Sequence, residues 1–168
     1  MSSRVTISAT AIVFSSAVMV FAQASNPTQT FVNTAAQGGE AEVSLARTAE
    51  THTTNPQVKA LASKIRDDHE KANAELKDLC ERKHMTCSTM VSKNDEVRSE
   101  KLDKLSGTAF DRAYTDEMVK DHQADIKEFE KHQHDPDPDV AAWVTKTLPT
   151  LREHLKMAQD AQRAVGGK

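Results

Sequence analysis

NPQVKALASKIRDDHEKANAELKDL, residues 55–79, has the residue spacing of a long amphipathic helix. Asn55 suits the N-cap position, and Pro56 is suited to the first turn, so together they indicate where this helix starts. His69 lies on the apolar face of the helix, where a soluble helix normally carries a hydrophobic residue. The apolar residues of that face are Val58, Leu61, Ile65, Ala72, Leu76 and Leu79.

A second stretch, MVKDHQADIKEF at residues 118–129, repeats this pattern. In both stretches an apolar residue is followed three and four places later by Asp-His, and another large apolar residue comes seven places after the histidine. His122 therefore has the same place on its helix as His69 has on the other. The repeat indicates that two helices each direct a histidine toward the core.

Helical spacing covers most of the chain from Phe31 onward. Aromatic residues make up only 4% of the chain, and Gly and Pro number 5 each, a composition that favours helix. Breaks are expected at Ser106-Gly107 and at DPDPD, residues 135–139. We predict an all-α fold, a ferritin-like four-helix bundle built from two helical hairpins with a short bridging helix. The expected helices are 31–51, 55–83, 93–105, 108–134 and 140–165, with a loop at 84–92.

The first 24 residues have the features of a secretory signal peptide. Arg4 is followed by an apolar run and then by Ala22-Gln23-Ala24, a small-residue cleavage pattern. The run is short for a membrane anchor, and no later stretch is apolar enough to span a membrane. We therefore expect an exported protein of the periplasm or cell envelope. A linker at 25–30 would lead into a single helical-bundle domain at 31–165.

The charges limit the classes of partner. The formal net charge is −3, with both signs mixed along the chain. Because no basic patch is present, nucleic acid is not expected as a partner. The sequence leaves open which protein partner, if any, it binds and whether it forms a homo-oligomer.

The chain has two cysteines, Cys80 and Cys87. In an oxidising compartment, a disulfide is the simplest interpretation of such a pair. It would join the end of the second helix to the following loop. A metal or redox pair is the alternative, although the spacing matches neither a CxxC motif nor a zinc knuckle.

Each long helix carries one polar residue on its apolar stripe: Glu42, His69, His122 and His154. Counted from the turn of its own hairpin, Glu42 is thirteen residues away, His69 fourteen, His122 thirteen and His154 nineteen. The first three lie at nearly the same depth, and a kink at Pro149 could partly absorb the greater depth of His154, so the four side chains are expected to converge near mid-height of the bundle. Three imidazoles and one carboxylate would suit zinc, copper or iron. A purely structural network of buried hydrogen bonds is the alternative.

Neighbouring residues could support such a metal site. Asp68 and Asp121 could orient the imidazoles from outside. Met118 and Met157 could add soft thioether donors, which would favour copper, although a methionine on a helix stripe is more often part of the core. A di-iron carboxylate centre is disfavoured because the core lacks the paired Glu-x-x-His pattern that such a centre requires.

Four stretches together resemble one exported bacterial family: FVNTAAQGGEAEVSLARTAE, NPQVKALASKIRDDHEKANAELKDL, LSGTAFDRAYTDEMVKDH and KTLPTLREHLKMAQ. The family is domain-of-unknown-function family 4142, which is grouped with ferritin-like bundles. The resemblance runs from about Phe31 to Ala161 and implies the fold and export, but no activity. The family's Glu and three motif histidines fall on the four core positions named above. Ile65 departs from the family pattern, which has Met there, and this removes one soft donor.

Three functions are compatible with the sequence. The first is a periplasmic metal-binding bundle that acts as a carrier, buffer or sensor. The second is a non-catalytic envelope stress or partner-binding protein whose polar core is structural. The third is an enzyme that uses the histidines for acid–base or metal-assisted chemistry. The sequence has no nucleophile elbow or phosphate loop, and it does not predict a catalytic site. It leaves open the metal, the partner and cleavage of the signal peptide.

Overall fold

A computed structural model describes residues 26–166 and contains five α-helices in that range. The expected signal peptide lies outside the described residues. Helices α1 and α2 form one hairpin, α4 and α5 form the other, and the short α3 connects them. This is the predicted all-α bundle. The helices are α1 (Pro27–His52), α2 (Pro56–Lys83), α3 (Lys93–Asp103), α4 (Gly107–Lys131) and α5 (Pro138–Gly166).

The first hairpin begins earlier than the spacing of apolar residues predicts. Helix α1 starts at Pro27 rather than near Phe31, because the Asn26 side chain accepts a hydrogen bond from the Thr28 N–H at 3.1 Å. At the start of α2, the side chain of Asn55 accepts hydrogen bonds from two backbone N–H groups, as expected of an N-cap. Polar caps therefore set both starts, and apolar periodicity alone does not reveal the first one.

The loop of the second hairpin lies earlier in the chain than predicted, at 132–137 instead of 135–139. Helix α4 ends at Lys131 instead of near His134, and α5 already begins at Pro138. Asp135 holds this turn, since its carboxylate accepts a hydrogen bond from Thr28 Oγ1 at 2.8 Å and contacts His132 Nδ1 at 2.7 Å. The turn between α4 and α5 is therefore tied to the start of α1.

Two apolar clusters fill the bundle, one toward each end. The first lies nearer the α1–α2 turn and includes Leu45, Leu61, Ile65, Phe110, Tyr114, Met118 and Ala158. The second lies nearer the α4–α5 turn and includes Phe31, Leu76, Leu79, Phe129, Val144, Leu148 and Leu151. Along each long helix, the polar residue of the core stripe falls between the two clusters. The bundle is therefore divided by one buried polar layer.

The predicted disulfide is present between Cys80 and Cys87, whose Cα atoms are 6.1 Å apart. It joins the last turn of α2 to the loop before α3. The loop also hydrogen-bonds to α1, since Gln29 Nε2 donates to the Thr86 carbonyl at 2.6 Å and Gln29 Oε1 accepts from the Thr86 N–H at 3.2 Å. These contacts hold the loop against the bundle.

None of the helices between residues 26 and 166 combines the length and hydropathy that a membrane span requires.

Two adjacent glycines lie in the middle of α1, although glycine destabilises a helix interior. A Cβ at Gly39 would collide with Asn73 Oδ1 of α2, so the close approach of these helices accounts for this glycine. A Cβ at Gly38 would meet no atom within 4 Å. Packing therefore explains Gly39 and does not explain Gly38.

Removal of the disulfide should weaken the bundle. The Cys80→Ala/Cys87→Ala variant should lose about 2–3 kcal/mol of unfolding free energy, because a short closed loop no longer restricts the unfolded chain. Urea denaturation measures this change. Reductant should produce a similar loss in the wild type and no loss in the variant. Equal stability of the oxidised wild type and the double variant would contradict the expectation.

The two glycines should respond differently to replacement by alanine. Gly38→Ala should raise the unfolding free energy by about 0.5–1 kcal/mol through helix propensity alone. Gly39→Ala should gain less or lose stability, because Asn73 must rotate away from the new methyl group and give up its 3.3 Å hydrogen bond to Glu40. Thermal melts of the two variants provide the comparison, and identical shifts would contradict it.

Candidate metal centre

Three histidines from three helices meet in the buried layer. One nitrogen from each of His69, His122 and His154 lies within 4.8 Å of the other two. His122 and His154 have no exposed surface, and His69 is 5% exposed. The structure therefore brings together the three histidines that the sequence placed on α2, α4 and α5.

The closest contact in the cluster joins two imidazoles. His122 Nε2 lies 3.2 Å from His154 Nδ1. The other nitrogen of each ring faces a hydrogen-bond acceptor. His122 Nδ1 lies 3.0 Å from the Met118 carbonyl, and His154 Nε2 lies 2.8 Å from Oδ2 of the Asp68 carboxylate. If each outer nitrogen carries its proton, the two inner nitrogens face each other with lone pairs. A proton or a metal cation between them relieves this repulsion.

Glu42 of α1 lies against the other side of the cluster. Its Oε2 is 3.0 Å from His69 Nδ1, and its Oε1 is 3.3 Å from His122 Nδ1. Neither contact has the geometry of a good hydrogen bond, and among the described residues Glu42 Oε1 and His69 Nδ1 lack a hydrogen-bond partner. Burial raises the pKa of Glu42 well above its usual value, and the charge of Asp125 adds to this effect. The glutamate thus faces two of the three rings.

The cluster favours neutral imidazoles. Burial lowers the pKa of His69 and of His122 to about 3, with a further contribution from the neighbouring His154. Burial also lowers the pKa of His154, although its contact with Asp68 opposes the change. Metal binding requires unprotonated nitrogen, so these rings are ready to act as ligands at neutral pH.

The two aspartates that precede the histidines have different environments. Asp68 contacts His154 from α5 rather than His69, its neighbour in the chain, and it also lies 3.0 Å from Lys64. Asp121 turns instead to Arg98 of α3, at 2.6 Å from the guanidinium. Of the two, Asp68 has the contact expected of a residue that orients an imidazole.

The methionines lie with the apolar residues. The Met118 side chain is fully buried in the cluster near the α1–α2 turn, and Met157 packs against that cluster. Met118 touches His122 through its backbone carbonyl, as part of the helix. Both thioethers therefore occupy positions typical of core residues.

Sequence reasoning missed Asp125 and Arg98. Asp125 lies one turn beyond His122 on α4, and burial raises its pKa to about 7, with the charge of Asp121 next in importance. Arg98 forms ion pairs with Asp95, Glu117 and Asp121. The spacing of Asp125 from His122 was a usable signal, since residues three apart share a helix face. The charged pattern of α3 carried no signal that could identify Arg98.

Asp125 should make the stability of the metal-free protein depend on pH. Its pKa rises from 3.8 to about 7 on folding, so the unfolded chain releases this proton at lower pH than the folded chain does. The unfolding free energy from this group therefore falls as the pH rises from 4 to 7. The unfolding free energy of Asp125→Asn minus that of the wild type should therefore increase across this window, by up to about 1.4 kcal/mol per unit of pKa shift.

Urea denaturation with chelator present at several pH values tests this expectation. Asp103→Asn, at an exposed position near the end of α3, is the matched control. A constant difference between Asp125→Asn and the wild type from pH 4 to pH 7 would contradict the prediction.

Comparisons with known proteins support the fold and identify the family. No curated protein matches the chain. A crystal structure of a DUF305 fragment from Deinococcus radiodurans is similar, with a TM-score of 0.73 and 16% identity, over 85% of this chain and 97% of that one. At this identity the similarity concerns the fold alone. Residues 15–161 match the domain of unknown function DUF4142, and the chain therefore belongs to the DUF4142 family.

Proposed function

We propose that this protein binds one transition-metal ion through His69, His122 and His154, and that it serves as an exported metal carrier, buffer or sensor. The observation that carries the proposal is the 3.2 Å contact between His122 Nε2 and His154 Nδ1. The outer nitrogen of each ring faces an acceptor, and in the tautomers that donate to these acceptors a cation between the inner nitrogens satisfies both lone pairs. Acceptors on the far side of ligating imidazoles are typical of protein metal sites.

The dimensions suit a tetrahedral ion. Metal–nitrogen bonds of 2.0–2.1 Å in tetrahedral geometry place the ligand nitrogens about 3.3 Å apart. The His122–His154 contact already has this spacing, and the third nitrogen lies within 4.8 Å of both. A shift of the His69 ring by roughly 1–1.5 Å would complete the set.

Glu42 was predicted from the sequence as a fourth ligand. Its contacts with the Nδ1 atoms of His69 and His122 favour another role, in which the carboxylate orients the two rings and balances the charge of the ion. Asp68 has the corresponding role at His154. The fourth position on the ion would then be left for water or a transferred ligand, as in sites with three protein ligands.

Imidazole ligands suit zinc, copper and iron and do not select among them. The packing of Met118 and Met157 in the apolar cluster weakens the case for thioether ligation, and with it the specific case for copper. The disulfide supports export, since such bonds persist in oxidising compartments. A periplasmic location also agrees with the signal-like stretch at residues 1–24.

Metal analysis of the mature chain, purified without a histidine tag, tests the proposal. Wild type should take up one equivalent of metal, and His69→Ala/His122→Ala should take up none. Asp68→Asn should weaken the metal affinity about 10- to 100-fold, because His154 loses its orienting partner. His134→Ala, which changes a histidine outside the cluster, is the control and should bind as wild type does. Failure of the wild type to bind zinc, copper or iron would refute the proposal.

A structural role for the polar layer is the second candidate. A proton can replace the metal between His122 and His154 if His154 is held as an imidazolium by Asp68. Thermal unfolding separates the two candidates. A site filled by metal should raise the unfolding free energy by about 2.7 kcal/mol at a free metal concentration 100 times Kd. A purely structural layer should melt identically in metal and in chelator.

A further inference from the structure

The metal ligands are buried, so an ion needs a path to reach them. Within residues 26–166, His69 lies in the wall of two separate pockets. One, the α1–α4 pocket, has a volume of about 50 Å³ and is lined by Gly38, Glu42, Asp125 and Phe129 among others. The other, the α2–α5 pocket, has a volume of about 90 Å³ and is lined by Asp68, Lys71, Lys146 and Thr150 among others. Either volume exceeds what a single water molecule needs.

The charges of the two pockets differ. The α1–α4 pocket is lined by three carboxyl residues, Glu42, Asp125 and Glu128, and by no lysine or arginine. The α2–α5 pocket is lined by two lysines, Lys71 and Lys146, which offset its two acidic residues. Because the wall of the first pocket has no lysine or arginine, a cation is repelled less there than in the second pocket.

The α1–α4 pocket also leads to an unsatisfied polar group. Glu42 is 5% exposed, lies in the wall of this pocket, and its Oε1 has no hydrogen-bond partner among the described residues. The same carboxylate contacts His69 and His122. A cation that passes Asp125 would next meet Glu42 and then the imidazoles.

Gly38 gives independent support for this path. It lies in the wall of the α1–α4 pocket, and open space surrounds the position of an added Cβ. A glycine here destabilises the middle of α1, and no close approach of another helix requires it. The absence of a side chain keeps the pocket open, which is the one benefit visible at this position.

We propose that the α1–α4 pocket is the access route of the metal cation, with Asp125 as the carboxylate that receives the ion and Glu42 as the group that passes it to the histidines. This inference rests on the metal-binding function proposed above. Gly38 keeps the route open. The aromatic residues of the wall, Phe31, Phe129 and Trp143, hold its shape by contact with one another, with ring centroids 5.2 to 6.4 Å apart.

Gly38→Leu tests the route with little threat to the fold, since leucine is a better helix former than glycine and an added Cβ meets no atom within 4 Å at this position. Stopped-flow absorbance would follow Co²⁺ uptake by the metal-free protein, and Co²⁺ release into excess EDTA. Both rate constants should fall about tenfold or more, which corresponds to a barrier higher by about 1.4 kcal/mol. The equilibrium affinity for Co²⁺ should stay as in wild type, because no ligand changes.

Three further variants make the test specific. Gly38→Ala has the same helix benefit with a smaller side chain and should exchange Co²⁺ much faster than Gly38→Leu. Thr150→Leu narrows the α2–α5 pocket and should leave both rates unchanged. Asp125→Asn should slow uptake and reduce the dependence of the uptake rate on salt.

The outcomes separate this inference from the proposed function. If wild type binds no metal, both the proposed function and the access route are refuted. If wild type binds Co²⁺ and Gly38→Leu exchanges it at the wild-type rate, the metal site stands and the route is refuted. Slow exchange in Thr150→Leu instead would assign access to the α2–α5 pocket.

Discussion

The contact between His122 and His154 is the interaction on which the polar layer depends. When the outer nitrogen of each ring carries its proton and donates it to the acceptor it faces, the two inner nitrogens, 3.2 Å apart, need a proton or a cation between them. Burial disfavours the proton, since it lowers the pKa of both rings. A metal ion is the other species that satisfies the geometry, so this contact links the fold to the proposed function.

The position of the layer explains how the bundle tolerates it. Apolar clusters lie on both sides along the helix axes, and their burial offsets the cost of desolvating one carboxyl group and three imidazoles. The disulfide and the turn held by Asp135 secure the end of the bundle near the second cluster. The protein therefore places its buried polar layer between two apolar regions.

Helix α3 supplies a positive charge beside the acidic groups of the polar layer. Its Arg98 pairs with Asp121 and lowers the pKa of both Glu42 and Asp125, opposing the effect of burial. A guanidinium beside this acidic region limits how far its carboxyl groups are pushed toward the protonated form. The bridging helix is thus part of the electrostatics of the site as well as a connection between hairpins.

The sequence by itself determined the order of the helices, the two hairpins and the polar residue of each core stripe, because helical periodicity and N-caps are local properties. The tertiary structure decided which atoms meet. Asp68 contacts His154 across the bundle, although His69 is its neighbour in the chain. Arg98 forms an ion pair with Asp121, and Asp125 lies beside the buried layer. These contacts depend on the rotation and the relative height of the helices. Periodicity specifies the face of a helix, and only packing specifies the partner that this face meets.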